Sequence, residues 1–592
     1  MKKPVHLDHS QIGSPVVSGV THDGARLQCA RWNVAWSNGR PDPSPEQIAM
    51  LLSPWCGDVS PSSAPTGATL LNAAALRLAI RLHSRPAPEF EEFVASAPHR
   101  SDAEGFGFCF VDPLIAALAA EWAVKTVHEA ALQAATAPLR PIDDLVGEAH
   151  AAFGHLWPSK DSARVLLEAA RRGIPITRVT DHAPVHRLGD GSRQAKVFKM
   201  FTQRTPQLAT VLTTSKITAT QILSRLGFPV PVNHRVATLD EARRFAARIG
   251  YPVVVKPNTA DFGQGVTAEI RGEEQLARAF ERARTFGDVL VEQHIAGENY
   301  RLLVIDGVCR GVNHRVQPDV IGDGVRTIAE LMLEKASAVA KFPGPDDPTV
   351  AGFLEGTGRR LGDVPAPGER VRTSAVANAS AGGTRVDVTN RVHADNMRLA
   401  ESIAAAFDID LAGIDLITPN IGRSWREVGG AINEVNVNPG LPFPGAPGWV
   451  LDGLFPAGSN GRVDITVVLG DLSGPEGGAV VDWVRRGRMP SSRSSILGRP
   501  VDATGRRPPL DNAQVRPVVD QLLGRAELDS LVVQTAWDGA GPLVLPVPYQ
   551  ARLLVNLDPA RQATALGRLR SAMMHDPTVE VTAFDIRAFE PG

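Results

Sequence analysis

The sequence is poor in cysteine and in aromatic residues, and it lacks any long apolar run. Four cysteines stand among 592 residues (Cys29, Cys56, Cys109 and Cys309), with no CxxC pair and no Cys/His cluster of zinc spacing. That usage argues against a zinc module and reads as free thiols in a reducing cytoplasm. Aromatics make up 5% of the chain and the net charge is −2, so neither a base-stacking platform nor a broad basic field for nucleic acid is expected. No apolar run follows Lys2 and Lys3, so no secretory signal is expected. The most apolar helix-like stretch, 113–123, is broken by Glu121 and falls short of the ~20 residues of a membrane span. These readings give a cytoplasmic protein with neither nucleic acid nor membrane among its partners.

What is present is the composition of an ordinary soluble chain, 43% hydrophobic and 21% charged. At ~150 residues per domain the length suggests three or four domains. Residues 1–155 mix Pro/Ser-rich loops with one Ala-rich helical stretch and show no chemistry. Residues 156–450 alternate helical periodicity with short β-rich runs, as in α/β and α+β folds. Residues 451–592 contain no lysine and are rich in Gly, Pro and Arg; the runs 465–469, 530–533 and 551–557 read as strands. In the middle region the pattern predicts helices over 163–172, 215–226 and 239–249, the last two closed by Gly227 and Gly250 with prolines beyond. Strands are expected at 176–179, 253–256, 289–292, 300–305 and 413–417.

Chemistry enters at Lys256, which ends the apolar strand 253–256 and precedes a loop containing Gly263-Gln264-Gly265-Val266. Glycines let backbone N–H groups close on phosphate oxygens, and a lysine adds a point charge. A Gly-x-Gly turn alone is equally a hairpin, and no Gly-Lys-Ser/Thr follows, so this is not a Walker A loop. Asp415 sits in the short strand 413–417, and Glu434-Val435-Asn436 follows about twenty residues later. In a strand Glu434 and Asn436 project to one face. With Asp415 they make a hard oxygen set suited to Mg²⁺.

Taken in order, Lys216, Lys256, the glycine loop, Val291-Glu292-Gln293-His294-Ile295, Arg301, Asp415 and Glu434-Val435-Asn436 resemble the ATP-grasp family. Within it, 155–450 resembles the ATP-grasp half of cyanophycin synthetase and the related ligase half of bifunctional glutathione synthetases. Further similar stretches are 193–205, 321–331, 365–369, 378–384 and 393–400. The resemblance implies a multidomain α+β and α/β chain: an N-terminal α/β domain (1–155), an ATP-grasp core (156–450) and a small C-terminal α/β domain (451–592). It implies that Lys216 and Lys256 reach the ATP phosphates and that Gly263, Gln264, Gly265 and Val266 cover them. Glu292, His294 and Ile295 belong to the adenine hinge, Glu298 lies near the ribose, and Asp415, Glu434 and Asn436 hold two Mg²⁺. Arg301, Ser380 and Gly383 are the implied oxyanion donors, while Ser159, Phe262, Arg301 and Ser380 face the acceptor. The implied reaction joins an amino acid to a small peptide or amino-acid derivative through an acyl phosphate, in a homo-oligomer (dimer or tetramer). The alternatives are a non-catalytic ATP-binding partner of a complete synthetase, or acyl transfer to a non-amine nucleophile.

Two departures stand out. Ser215 precedes the first lysine where the family usually has an acidic residue, and Phe262 replaces a loop histidine. In the tail, 459–469 resembles the entry strand of a Mur-ligase-like part. The segment 470–478 has lost the lysine and threonines of its P-loop and carries Glu476, which repels phosphate. The tail is therefore expected to be a truncated, degenerate remnant.

Overall fold

The computed structural model describes residues 140–470 almost throughout, except 260–263, 340–341 and 375–381. Outside that span it describes mainly 16–22, 25–34, 67–85, 104–133, 494–497, 530–535, 552–556 and 581–583. The chain forms two compact units: residues 1–199 with 454–592, and residues 200–453. The expected boundary near 155 therefore falls inside the first unit, and the second begins at Met200. The two units are described separately.

In the first unit the strands Val16–His22, Ala25–Asn33, Gly105–Phe110 and Arg100–Ser101 form an antiparallel sheet in that spatial order. The helix Gly67–Ser84 packs on the strand Gly105–Phe110 and on the helix Pro113–Gln133. Proline suits a first helical position because its missing N–H has no intrahelical partner there. Asp112 supplies the cap, its Oδ1 accepting from the N–H groups of Leu114 and Ile115 at 3.1 and 3.2 Å. Cys29 lies directly opposite Cys109 across the two central strands, and the two form a disulfide. This corrects the expectation of free thiols: 80 residues of separation conceal a cross-strand neighbour. Cys309 is free and buried. The C-terminal strands lie in the order Ser494–Leu497, Ser530–Thr535, Asp464–Gly470, Arg552–Asn556 and Val581–Ala583, every pair parallel. All three strands expected in the tail are present. Of the degenerate loop expected at 470–478, Gly470 ends the strand Asp464–Gly470 and the rest lies outside the described residues.

Among its described residues the second unit holds three hydrophobic cores. The strands Thr267–Ile270, Val253–Pro257, Val289–Gln293 and Asn233–Val236 pair antiparallel in that order. Val253, Val255, Val289 and Val291 pack against Phe245, Leu276 and Phe280 of the helices Leu239–Ile249 and Glu273–Arg284. Each such side chain contributes roughly 1.5–3 kcal/mol on burial. The helix 239–249 forms where expected, with Thr238 accepting from Glu241 N–H and Gly250 leaving at φ 83°. A larger sheet orders Thr384–Asp387, Val308–Val316, Glu298–Ile305, Leu411–Thr418 and Ala431–Asn436. Its apolar face (Leu302, Val304, Val312, Ile414, Leu416) buries Leu399, Ala400 and Ile403 of the helix Ala394–Ala406. The third core joins the pair Asp319–Ile321 and Arg370–Arg372 to the helices Ile328–Ala338 and Pro348–Gly356. The described residues form a multidomain α+β fold that includes an all-parallel sheet.

Candidate active site

A cavity of about 810 Å³ lies within the second unit, lined by residues from each of the three sheets described there. Strand alternation explains the wall on the smaller sheet. Val253 and Val255 enter the core, so Val254 and Lys256 turn to the other face and line the cavity. Lys256 Nζ donates to Glu292 Oε1 at 2.8 Å and to Asn433 Oδ1 at 3.1 Å. Both members of the Lys256–Glu292 pair are about 6% exposed, so neither charge has much water to compensate it. Lys216 opens the helix Lys216–Arg225, capped by Ser215, whose Oγ accepts from Thr218 N–H. Asn258 fixes that turn: its carbonyl accepts from Lys216 N–H at 3.2 Å and its Oδ1 from Ile217 N–H at 3.1 Å. Lys216 Nζ then stands 3.6 Å from Glu434 Oε1.

The larger sheet supplies the opposite charge. Glu434, Asp415 and Arg301 are direct cross-strand partners, so their side chains share one face. Arg301 engages both oxygens of Asp415, through Nε and through Nη2, the latter at 2.7 Å, and Arg315 Nη1 reaches Oδ2 at 3.1 Å. Gly413 makes this possible: a Cβ there would stand 2.9 Å from Arg301 Cδ and 3.0 Å from Pro439 Cβ. Burial pushes the Asp415 carboxyl up, but Arg301 and Arg315 more than offset it and hold it below the usual carboxylate range. Burial also lowers the Arg315 guanidinium, against the opposing pull of Asp415. Asn436 Nδ2 donates to Glu434 Oε2 and to Gly413 O, each at 3.3 Å.

Near the hinge, Gln293 N–H donates to Val232 O at 2.8 Å and His294 N–H to Pro252 O at 3.3 Å. Two backbone donors of the expected hinge are therefore used within the protein. The Glu292 side chain belongs to Lys256. His294 is half-buried, and desolvation lowers its pKa. Glu298 Oε2 lies 3.1 Å from His314 Nε2, and His314 stacks on Tyr300 with ring centroids 5.0 Å apart. Glu292, Gln293, His294, Glu298, Tyr300 and His314 line the cavity, as do Ile295 and Val266.

The structure thus brings together Lys216, Lys256, Glu292, His294, Ile295, Glu298, Val266, Asp415 and Glu434 around one cavity. Arg301 and Asn436 bond directly to members of that group. Gly265, with φ 69°, closes against Pro257 and Phe286, where a Cβ would clash at 2.8 Å; Gln264 is exposed. Phe262, Gly263 and Ser380 lie outside the described residues, and Gly383 is half-buried at the edge of the segment that holds Ser380. Ser159 belongs to the first unit, where it caps the helix Lys160–Arg171 by accepting from Ser162 N–H. That role accounts for it without a substrate. Sequence reasoning missed Arg315, Asn433 and His314. The alternating strand 308–316 carried the signal for the first and last, and Asn433 adjoins a residue already singled out.

Among the described residues no three His, Cys, Asp or Glu side chains form a metal cluster. The oxygens of Asp415, Glu434 and Asn436 nonetheless fit Mg²⁺, which takes one or two carboxylates and keeps water and phosphate as its other ligands. Asp415 presents its charge with arginines already satisfying it, and Glu434 with a lysine close by.

Residues 215–301 match the family described as carbamoyl-phosphate synthase L chain, ATP binding domain. The cyanophycin synthetase of Trichormus variabilis is 35% identical over 334 residues, 53% of this chain and 37% of that protein. The glutathione biosynthesis bifunctional protein GshAB of Clostridium perfringens is 28% identical over 291 residues, 47% of this chain and 37% of that protein. A bifunctional glutathione synthetase from Pasteurella multocida aligns in structure over 57% of this chain and 49% of that one, at 23% identity and a TM-score of 0.37, too low to compare the folds in detail. The chain spans 37–40% of the length of the cyanophycin synthetases it matches. Over about half its own length, then, this chain is similar in sequence to ATP-grasp ligases of the cyanophycin synthetase kind.

Proposed function

We propose that the chain is an ATP- and Mg²⁺-dependent ligase that joins the carboxylate of one amino acid or small peptide to the amine of another. The observation that carries this reading is the convergence of Lys216 and Lys256 with Asp415 and Glu434 on one cavity wide enough for a nucleotide and a second substrate. A carboxylate resists amines because oxide is a poor leaving group. In the proposed sequence a carboxylate oxygen attacks the γ-phosphorus of ATP and ADP leaves. The amine then attacks the acyl carbon, the C–O bond to phosphate breaks, and the amine proton is lost. Lys256, held by Glu292 and Asn433, and Lys216, held near Glu434, neutralise phosphate charge without having to reorganise. Arg301 and Arg315 offer guanidinium groups to the acid and to charge developing on its oxygen. Mg²⁺, held by Asp415, Glu434 and Asn436, would screen the transferring phosphoryl group.

The relatives' names support amide-forming chemistry on amino acids and peptides; the acid and the amine used by this chain are proposed only by class. A homo-oligomer, dimer or tetramer, belongs to the same proposal, whereas the Cys29–Cys109 disulfide removes the free-thiol argument for a cytoplasmic setting. No described helix is long and apolar enough to cross a membrane. The test is ADP release in the presence of ATP, Mg²⁺ and pooled amino acids and dipeptides, with hydroxylamine as the nucleophile. Hydroxamates formed in step with ADP support acyl activation. Nucleotide binding with no ADP release from any pool contradicts it and favours a non-catalytic binding module.

A further inference from the structure

The row of cross-strand partners on the larger sheet extends beyond the residues described so far. It runs Glu434, Asp415, Arg301, Asn313, Asp387 across five strands. Directly opposed residues stand on one face, so Asn313 shares the face of Arg301 and, two positions along its own strand, that of Arg315. Its sequence neighbour Val312 turns the other way into the core. Other members of the row have partners. Asp415 and Arg301 hold each other, Glu434 takes Asn436 and faces Lys216, and Asp387 Oδ1 accepts from the N–H and hydroxyl of Thr389 at 2.9 and 2.6 Å. Asn313 is 5% exposed, and its Nδ2 is buried with no hydrogen-bond partner among the described residues.

A buried amide donor left unmade is costly, and a partner from outside the described residues would remove that cost. A ligand oxygen is such a partner. Resting on the ligase reading above, we infer that Asn313 is a specificity-determining residue for the acid substrate, its Nδ2 donating to an oxygen of that acid while Arg301 and Arg315 meet its charge. A neutral, planar donor in a fixed row adds direction to a charge-rich wall. A site built to hydrogen-bond a substrate group discriminates strongly against molecules that lack it.

The test compares wild type with N313L, close in size but without the amide, and N313D, which replaces donor with acceptor. The probe is an equimolar pool of the twenty protein amino acids and their glycyl dipeptides, titrated in the ADP-release assay. Ligand-free thermal unfolding and Mg²⁺·ADP affinity are measured in parallel. The expected result is a half-saturating pool concentration raised about 10- to 100-fold in N313L, the range of a hydrogen bond to a charged group, and more in N313D. Mg²⁺·ADP affinity should not change, and ligand-free N313L should be at least as stable as wild type. Unchanged half-saturation in either variant overturns the proposal, as does an N313L chain that is destabilised or fails to fold, since a donor without a partner contributes nothing to the fold. If wild type itself releases no ADP with the pool, the ligase reading falls, and that outcome is visible before any variant is made.

Discussion

Each unit of the chain buries an aspartate against two nitrogen-donor side chains, and the two aspartates have different surroundings. In the first unit Asp112 receives Arg178 Nη1 at 2.5 Å and His186 Nε2 at 2.7 Å, in addition to two helix N–H groups. Arg178 spends its other donors on Leu156 O and Thr180 O. The cluster ties a helix start to two neighbouring strands. In the second unit Asp415 receives Arg301 and Arg315 but borders an open cavity beside two lysines and a second carboxylate. A similar arrangement is a structural clamp where it is enclosed and a cavity wall where it is not. Accessibility and the further company of charges separate the two cases.

The comparison can be broken most sharply with paired substitutions. D415N should lower acid-dependent ADP release by about 100- to 1,000-fold, as loss of a central electrostatic group does, while its amide oxygen can still accept from Arg301 and keep the fold. D112A should do the reverse, costing about 3–5 kcal/mol of stability because it strands buried Arg178 and His186. If D112A leaves the unfolding midpoint in place, the clamp reading is wrong. K216M should weaken turnover by about a hundredfold at unchanged stability, measured as kcat/KM for ATP. G413A should act more mildly: the added methyl displaces Arg301, and kcat/KM for the acid should fall about tenfold while nucleotide affinity holds.

The smallest expected effect is a dependence on pH. Desolvation pushes buried His83 down from its ordinary value to about 4, against the opposing pull of nearby Asp112. Its folded pKa is depressed below the unfolded 6.5, so the unfolded chain binds more protons between the two values. The stability contribution is full above pH 6.5 and is lost progressively as pH falls toward about 4. Unfolding midpoints measured across that window should decline in wild type and flatten in H83Q.

The site's own polar ends were the most legible part of the sequence. Lys256 could be read because a lysine ending an apolar strand has few structural uses, and Glu434 with Asn436 because strand alternation puts them together. Arg315 was not legible, since an arginine in an alternating strand reads as a solvated edge until its neighbours are known. The Cys29–Cys109 pair depended on strand register, which two separated cysteines do not reveal. The start of the second unit at Met200 lies inside the stretch 193–205, whose family resemblance runs through the boundary without a break. The tail's strands were visible as apolar runs, but their parallel order follows from crossovers that no local pattern records.

The central claim is that one cavity energises an acid with ATP before an amine arrives. Its most direct test supplies the acid labelled with ¹⁸O in its carboxylate, together with ATP, Mg²⁺ and an amine, and measures the label in the released phosphate. The account predicts one ¹⁸O atom in the phosphate for each ADP formed, because the carboxylate oxygen leaves bound to phosphorus. Phosphate free of label, at full ADP release, would contradict it.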